Sequence, residues 1–308
     1  FHFTILYAQQ STPLVMKIPS IVNIQWLAQA VLKTKPLKQL RILDGTWRLK
    51  EESSEQAKQD FLDEHIPGAV FFDIDECCNK SSEYPHMIPD EKLFAEYASH
   101  LGITNDSHII AYDNDEDFGV FSSPRVWWTF RCFGHEAISV LNGGFHKWLA
   151  AGLPVESGEP KPIKSNQPFH AKLNRNLVRD YEAMVENVKS GGSNAVVDAR
   201  SRERFLGAGS EPRPGMLVGH IPFSGNVPFI ELLDKEREFM RDSEELKQVF
   251  AKHNVDLNRP VTTTCGSGIT ACIVALAAHE SGAQDVSVYD GSWAEWGRRA
   301  TPDLVERN

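Results

Sequence analysis

The sequence is poor in cysteine and lacks the features that mark several common classes of protein. Only 5 of its 308 residues are cysteine, and none of them forms a C-x-x-C motif. Cys77 and Cys78 are adjacent, a poor geometry for a disulfide between them, so a reducing compartment is expected. No apolar run approaches the roughly 20 residues that span a bilayer. Basic clusters are also missing and the net charge is -10, so nucleic acid is not an expected partner.

What is present is the composition of a globular protein that can bury hydrophobic cores, with 41% hydrophobic and 24% charged residues. A length of 308 residues is enough for two domains of ordinary size. Residues 1–19 contain no acidic side chain, which is typical of transit peptides, but they are not rich in arginine. They are equally compatible with a frayed or added tail, and Met16 is a candidate start.

The chain contains the same sequence pattern twice. ILDGTW at residues 42–47 resembles VVDARS at 196–201, and EHIPGAVFFDI at 64–74 resembles GHIPFSGNVPFI at 219–230. HIIAYD at 108–113 corresponds to VTTTCG at 261–266, and VLNGGFHKW at 140–148 corresponds to VYDGSWAEW at 288–296. Small insertions and deletions separate the copies, so the repeat predicts two whole domains of one kind.

Within each copy, short β-rich runs alternate with helical stretches. This alternation predicts the α/β class, with each domain a parallel β-sheet that carries helices on both faces. Residues 152–168 contain four prolines and little apolar content, so they predict a linker. The expected organisation is a first domain at 16–151, a linker at 152–174 and a second domain at 175–308. In the first copy the expected strands are Ile42–Asp44, Ala69–Phe72, Ile109–Tyr112 and Ile138–Val140, and the expected helices are Ile24–Leu32, Phe94–His100 and Ser123–Phe133.

The two copies differ at one chemically important position, where Asp113 in the first corresponds to Cys265 in the second. A residue needed only to build the turn from strand to helix is expected to be similar in both copies. The change from a carboxylate to a thiol therefore indicates that the second turn does chemistry. The competing interpretation is a buried, inert cysteine, because free cysteine is often simply part of a core.

Cys265 is expected at the carboxyl end of a strand, directly before a helix at Thr270–Glu280. Ligands of open α/β sheets bind at this edge, where free N–H groups and the helix dipole favour an anion and hence the thiolate. The Gly-Ser-Gly stretch after Cys265 keeps the loop narrow, so several amides can point at one atom. A phosphate ester and a persulfide are both candidates. Cysteine phosphatases place arginine six residues after the cysteine, whereas this chain has Ala271, so the persulfide is favoured.

Several motifs together resemble the two-domain rhodanese family: CGSGITA at 265–271, FFDID at 71–75, PRVWW at 124–128, DAR with GHIP, and YDGSW with EW. The resemblance extends from about Pro19 to Glu306, with Ile269 where valine is usual. It implies two rhodanese-like domains, of which only the second is catalytic. It also implies a sulfurtransferase in which Cys265 carries sulfur as a persulfide, with no metal or organic cofactor. The loop residues that would hold the outer sulfur are Gly266, Gly268, Ile269 and Thr270.

The resemblance further implies a Ser–His–Asp constellation, matched here by Ser267, His86 and Asp75. His86 and Asp75 come from the first domain, which would explain why a copy without its own thiol is kept. By residue type alone, His86 is more typical of a surface loop histidine.

The carboxylate-binding arginines of the family match Arg204 and Arg213, whose planar guanidinium groups suit a carboxylate and a keto oxygen. Spacing alone favours a solvated charge cluster. Arg200 is expected to be structural, because Arg48 stands near the matching place in the first copy. His65 and His220, at equivalent positions before Ile-Pro, are expected to be structural turn residues.

The resemblance also bears on the small-molecule substrate. Relatives specific for thiosulfate carry two basic residues directly after the nucleophile, whereas this chain has Gly266 and Ser267. A monoanionic donor, 3-mercaptopyruvate, is therefore expected to give its sulfane sulfur to Cys265 and leave as pyruvate. The expected acceptors are cyanide or a thiol such as thioredoxin, in the cytoplasm or the mitochondrion. The alternatives are a thiosulfate sulfurtransferase and a non-catalytic rhodanese-like binding or sensing module.

Overall fold

The computed structural model describes residues 18–32, 39–48, 53–161 and 167–307, and shows two α/β domains of the same topology. The N-terminal stretch before residue 18 and residues 162–166 of the predicted linker lie outside the described residues.

The first domain is built on a sheet of five parallel strands in the order β1-β5-β4-β2-β3. Its strands are buried and largely apolar, as expected for a sheet that helices cover on both faces. The strands are β1 (Ile21–Val22), β2 (Leu40–Asp44), β3 (Ala69–Phe71), β4 (His108–Tyr112) and β5 (Ile138–Leu141), and the helices are α1 (Ile24–Val31), α2 (Ser53–Asp63), α3 (Glu91–His100), α4 (Ser123–Cys132) and α5 (Gly144–Ala150).

The second domain repeats this arrangement, with five parallel strands in the order β6-β10-β9-β7-β8. The strands are β6 (Val178–Arg179), β7 (Ala195–Asp198), β8 (Ser224–Asn226), β9 (Val261–Thr264) and β10 (Val286–Tyr289), and the helices are α6 (Tyr181–Lys189), α7 (Arg202–Phe205), α8 (Ser243–Lys252), α9 (Thr270–Glu280) and α10 (Ser292–Arg299). Short 3₁₀ turns occur at Arg175–Leu177, Phe229–Leu232 and Pro302–Leu304.

The predicted elements are confirmed with shifts of up to three residues at their ends. Helix α3 begins at Glu91 rather than Phe94, because the Asp90 side chain accepts the N–H of Leu93 and caps a longer helix. Helix α4 ends at Cys132, and Phe133 is its C-cap. Helix α9 has the predicted bounds.

One of the hydrophobic clusters extends across both domains. Helix α9 is apolar on all faces, and every residue from Ala271 to Ala278 is buried. It packs against α4 of the first domain, whose Val126 and Trp127 belong to the same buried cluster. The small side chains of α9 allow this close approach, so the loop before α9 is held against the first domain.

Candidate active site

Cys265 lies between β9 and α9, at the carboxyl edge of the second sheet as predicted. Its N–H donates to Ser292 Oγ at 3.2 Å, and its carbonyl accepts the N–H of Trp293 at 3.0 Å. The residue is only 2% exposed. The backbone of the cysteine is therefore fixed from both sides, and its side chain is buried beside the hydrophobic cluster that spans the two domains.

The sulfur faces backbone amides. The N–H of Gly268 donates to Cys265 Sγ at 3.1 Å, from a glycine whose φ of +83° suits a residue without a side chain. The next two amides, of Ile269 and Thr270, donate to no described residue. They open the first turn of α9, where the helix dipole also favours negative charge. The loop therefore offers donors to an anion at or beside the sulfur.

The first domain shows what such a loop holds. Asp44 and Asp198 pair with Tyr112 and Thr264 in their sheets, so the residues that follow, Asp113 and Cys265, are structurally equivalent. Asp113 Oδ2 accepts three backbone N–H groups, those of Phe121, Ser122 and Ser123, at 3.1, 3.0 and 2.7 Å. When α4 and α9 are aligned at their first residues, these three amides correspond to those of Gly268, Ile269 and Thr270.

His86 and Asp75 are brought together at this site from the first domain. His86 Nδ1 lies 2.8 Å from Asp75 Oδ1, and Trp47 Nε1 donates to Asp75 Oδ2 at 3.0 Å. The His86 ring stands edge-on to Trp47 and is 7% exposed, and its buried Nε2 has no hydrogen-bond partner among the described residues. His86 is thus a buried ring oriented by a carboxylate, not a surface loop histidine.

The surroundings of this pair set its protonation. Burial lowers the pKa of His86 below its ordinary value, and the hydrogen bond to Asp75 opposes this without overcoming it. Burial acts to raise the pKa of Asp75, but the hydrogen bond and charge of His86 outweigh it, so that pKa lies below its usual range. A neutral imidazole beside an ionised carboxylate is the expected state at neutral pH, with Nε2 free to accept a proton.

Ser267 is buried in the loop, but it hydrogen-bonds to neither His86 nor Asp75 among the described residues. The structure therefore brings together two members of the predicted constellation and leaves the serine separate from them.

Arg204 and Arg213 both approach the cysteine loop. Arg204 lies on α7, and a Cβ placed on Gly266 would be only 3.2 Å from its Nη2. The same Nη2 donates to the buried carboxylate of Glu211 at 2.6 Å. Arg213 is half-buried and forms no ion pair with a described residue. Burial lowers the pKa of Arg213 and the like charge of Arg298 adds to this, whereas nearby Cys265 opposes it.

Arg200, by contrast, has a structural environment, as expected. It is 2% exposed, bonds both oxygens of Asp198, and donates to Glu211 Oε1 and to the carbonyl of Gly219.

His65 and His220 occupy matching turns. Nδ1 of His65 lies 2.7 Å from the carbonyl oxygen of Phe61, and Nδ1 of His220 lies 2.8 Å from that of Phe205. Each ring stacks on the same phenylalanine whose carbonyl it contacts. The first contact closes the turn after α2, and the second joins the end of α7 to the segment before β8.

Sequence reasoning missed Glu211, Arg298 and the buried ion pair between Arg125 and Asp290. Arg125 and Asp290 lie within PRVWW and YDGSW, two motifs already noted, but nothing in either motif shows that they meet. Among the described residues, no helix has the length and apolar character needed to cross a bilayer.

The fold and the site together define an α/β protein with a cysteine at the crossover of one of two homologous domains. Comparison with known proteins agrees, since the family model for the Rhodanese-like domain matches residues 27–151 and 179–299. The chain is 45% identical over 285 residues to thiosulfate sulfurtransferase of Rattus norvegicus, covering 92% of this chain and 94% of that one. It is 43% identical over 286 residues to 3-mercaptopyruvate sulfurtransferase of Homo sapiens, covering 93% and 94%.

Among solved structures, the sulfur transferase subunit of yeast mitochondrial complex I matches with a TM-score of 0.84 at 32% identity, over 94% of this chain and 100% of that one. The chain therefore belongs to the rhodanese family of sulfurtransferases. The predicted family, fold class and enzyme class are confirmed.

Proposed function

We propose that this chain transfers sulfane sulfur from 3-mercaptopyruvate, through a persulfide on Cys265, to a thiol acceptor or cyanide. The observation that carries the proposal is the charge distribution around the cysteine. The loop residues after it, Gly266 and Ser267, are neutral, while Arg204 and Arg213 approach the loop from one side. Two guanidinium groups suit the carboxylate and keto oxygen of the donor, and a monoanion needs no further cation beside the thiolate.

In the proposed reaction, the thiolate of Cys265 attacks the sulfur of the donor, and the new S–S bond forms as the C–S bond breaks. The electron pair of the C–S bond moves into the keto group and gives the enolate of pyruvate, whose charge Arg204 and Arg213 stabilise. The donor thiol proton is then delivered to the enolate carbon, so the products are pyruvate and the Cys265 persulfide anion. No external oxidant or reductant is needed.

The outer sulfur of the persulfide is proposed to accept the N–H groups of Ile269 and Thr270. Gly268 is proposed to lie beside this sulfur, and Gly266 to form the edge of the loop around it. This assignment is supported by the equivalent loop of the first domain, where Asp113 accepts three N–H groups of the same turn. The proton relay is proposed to involve Ser267 together with His86 and Asp75. Because Ser267 does not contact His86 here, the relay requires the donor or a water molecule between them.

The finer assignments follow from this function. The proposed domains are residues 16–151 and 175–308, joined by a linker at 152–174, with the first domain non-catalytic. The proposed acceptor is a thiol protein such as thioredoxin. The proposed compartment is the cytoplasm or the mitochondrion. The latter is supported by similarity to the sulfur transferase subunit of yeast mitochondrial complex I.

A second candidate is transfer of sulfur from thiosulfate, because several relatives of about equal similarity carry that name. The neutral loop argues against it, since a dianionic donor gains more from a cation beside the nucleophile. A non-catalytic module is disfavoured because Cys265 is retained with its amide loop intact.

Steady-state kinetics with both donors and cyanide as acceptor test the proposal directly, with thiocyanate measured as the common product and pyruvate measured in addition with 3-mercaptopyruvate. The expected result is a higher kcat/KM with 3-mercaptopyruvate. Equal or better use of thiosulfate would assign the chain to the second candidate. Ser267→Lys adds a cation at the loop and is expected to shift the preference toward thiosulfate, whereas an unchanged preference would mean that loop charge does not select the donor.

A further inference from the structure

Arg125 is a fully buried cation that the reaction proposed above does not use. It lies on α4 of the first domain and is 2% exposed. Its Nη1 donates to the carbonyl of Gly268 at 3.2 Å, and its Nη2 donates to the carbonyl of His86. Nη2 also donates to Asp290 Oδ1 at 2.8 Å, and the guanidinium stacks over the Trp128 ring at 4.5 Å. One side chain thus contacts both loops of the site.

The two carbonyls that Arg125 holds belong to residues with uncommon backbone angles. His86 has φ of +61° and Gly268 has φ of +83°, and positive values are costly for a residue such as histidine unless its surroundings enforce them. The Gly268 amide is the donor to Cys265 Sγ, and the His86 ring carries the unpartnered Nε2. The guanidinium therefore fixes the residue on each side of the reacting centre by its peptide carbonyl.

The atoms around Arg125 leave no room for a side chain at position 268. A Cβ on Gly268 would lie 2.8 Å from Arg125 Nη1 and 3.0 Å from the Asp290 carbonyl oxygen, so only glycine fits between them. Asp290 is equally buried, and its Oδ2 accepts the N–H of Ile88 at 2.8 Å. Asp290 thus joins the end of β10 to α4 through the ion pair with Arg125, and to the segment that carries His86 through the hydrogen bond from Ile88.

We propose that Arg125 is a positioning residue for sulfur transfer, which sets the His86 ring and the amides of the Cys265 loop in register across the domain boundary. A lysine could keep the charge beside Asp290, but it has no planar fork with which to reach two carbonyls and a carboxylate at once. The inference rests on the proposed function, because the register matters only if sulfur is transferred at Cys265.

The test compares Arg125→Lys with Arg131→Lys, a matched control. Arg131 lies on the same helix, stacks over Trp127 at 4.6 Å and pairs with the exposed Glu136, but it has no contact with the Cys265 loop. Single-turnover persulfide formation is followed by mass spectrometry of the Cys265 peptide at saturating donor, well below the melting temperature of each variant.

Arg125→Lys is expected to slow persulfide formation by about 10- to 100-fold, because small misplacements of reacting groups are costly. The KM for the donor is expected to change less than about threefold, since the arginines that bind it are intact. Arg131→Lys is expected to remain within about twofold of wild type. A rate for Arg125→Lys within about threefold of wild type, or a loss expressed in KM alone, would overturn the proposal.

A second variant, at Asp290, tests the same proposal if Arg125→Lys does not fold. Asp290→Asn keeps an oxygen for the Ile88 N–H but removes the charge that orients Arg125, so it is expected to slow the same step without raising KM. A folded Asp290→Asn with a wild-type rate would contradict the proposal. If wild type itself gains no sulfur, the proposed function is wrong, whatever the role of Arg125. The positioning role is then tested by the rate at which iodoacetamide alkylates Cys265 in wild type and in the folded variant. An unchanged rate in the folded variant counts against positioning.

Discussion

The two crossover loops of this protein share one scaffold and differ in what they hold. Ile88 of the first domain donates to Asp290 after β10, and Met240 of the second donates to Asn142 after β5, both at 2.8 Å. Each domain therefore covers the crossover of the other in the same manner. In this arrangement a backbone N–H of each domain is bound by a side chain of the other.

The two loops differ in the charged side chains around them and in the group to which their backbone N–H groups point. At the first crossover, the Asp113 carboxylate fills the position to which three N–H groups point. The adjacent cavity, of about 330 Å³, is lined by acidic side chains that include Asp115, Glu116 and Glu238, together with the basic side chains of Lys147 and Arg237. At the second, a neutral loop and two arginines surround a thiol. The same turn thus serves as a sealed structural anion site in one copy and as a proposed sulfur anion site in the other.

The sharpest way to break this comparison is to convert the second loop into the first. Cys265→Asp is expected to lower kcat/KM by at least about 10⁴-fold, because the nucleophile is lost. The protein is expected to remain folded, with a melting temperature within about 5 °C of wild type, since the new carboxylate can accept the loop amides as Asp113 does. Kinetics and thermal unfolding check both parts. A folded variant with more than residual activity would rule out Cys265 as the carrier.

Charge around the second loop is the next difference to test. Arg204→Ala and Arg213→Ala are each expected to reduce kcat/KM for 3-mercaptopyruvate by about 10- to 150-fold, or roughly 1.5–3 kcal/mol, from lost charged hydrogen bonds. Arg202→Ala, on the exposed face of the same short helix as Arg204, is the control and is expected to change little. Unchanged kinetics in both variants would return the two arginines to a solvated charge cluster.

The role of Asp113 can be tested through stability. Asp113→Ala leaves three buried N–H groups without an acceptor and is expected to cost about 1–3 kcal/mol of the free energy of unfolding. Burial raises the pKa of Asp113 above its ordinary value, which indicates that its charge is held at a cost. Asp113→Asn, which keeps the oxygen, is therefore expected to cost less than about 1 kcal/mol. Denaturant unfolding measures both, and an equal loss in the two variants would show that the charge itself is required.

The smallest expected effect concerns pH, because the buried ring of His86 covers the second site. Burial lowers the pKa of His86, so its ring stays neutral down to pH values below the ordinary value of about 6.5. As pH falls through about 6.5, the unfolded chain takes up this proton before the folded protein does, so the free energy of unfolding decreases from there downward. Activity that depends on neutral His86 is lost only at lower pH, where the folded protein itself takes up the proton. The kcat/KM profile of wild type is expected to be flat from about pH 8 down to the ordinary histidine value of about 6.5, and to fall only at lower pH. His86→Gln is expected to remove that acid limb, and an inflection above pH 7 in wild type would contradict the account.

Most of the fold could be predicted from the sequence because strands, helices and the repeated motifs are visible as local patterns of residues. Buried apolar runs and the repeat of ILDGTW and VVDARS were enough for two parallel sheets, and the exchange of Asp113 for Cys265 singled out the reactive loop. Short edge strands such as β1, with two residues, carried too little pattern to predict.

The rest of the site could not be predicted because it depends on contacts between distant segments. Arg125 and Asp290 are far apart in the chain, and their ion pair exists only because α4 packs against α9. Glu211 orients Arg204 through an ion pair, and no motif in the sequence identifies Glu211 as the partner of Arg204. Ser267 lies where the loop geometry places it, apart from His86, although motif matching grouped the two.

The most direct test of the central claim is a crystal structure of the protein after reaction with 3-mercaptopyruvate and without an acceptor. The account predicts one added sulfur on Cys265 whose outer atom accepts the N–H groups of Ile269 and Thr270. That atom should superpose on Asp113 Oδ2 when the two domains are overlaid. An outer sulfur turned away from those amides, or an unmodified Cys265 in protein that has released pyruvate, would contradict it.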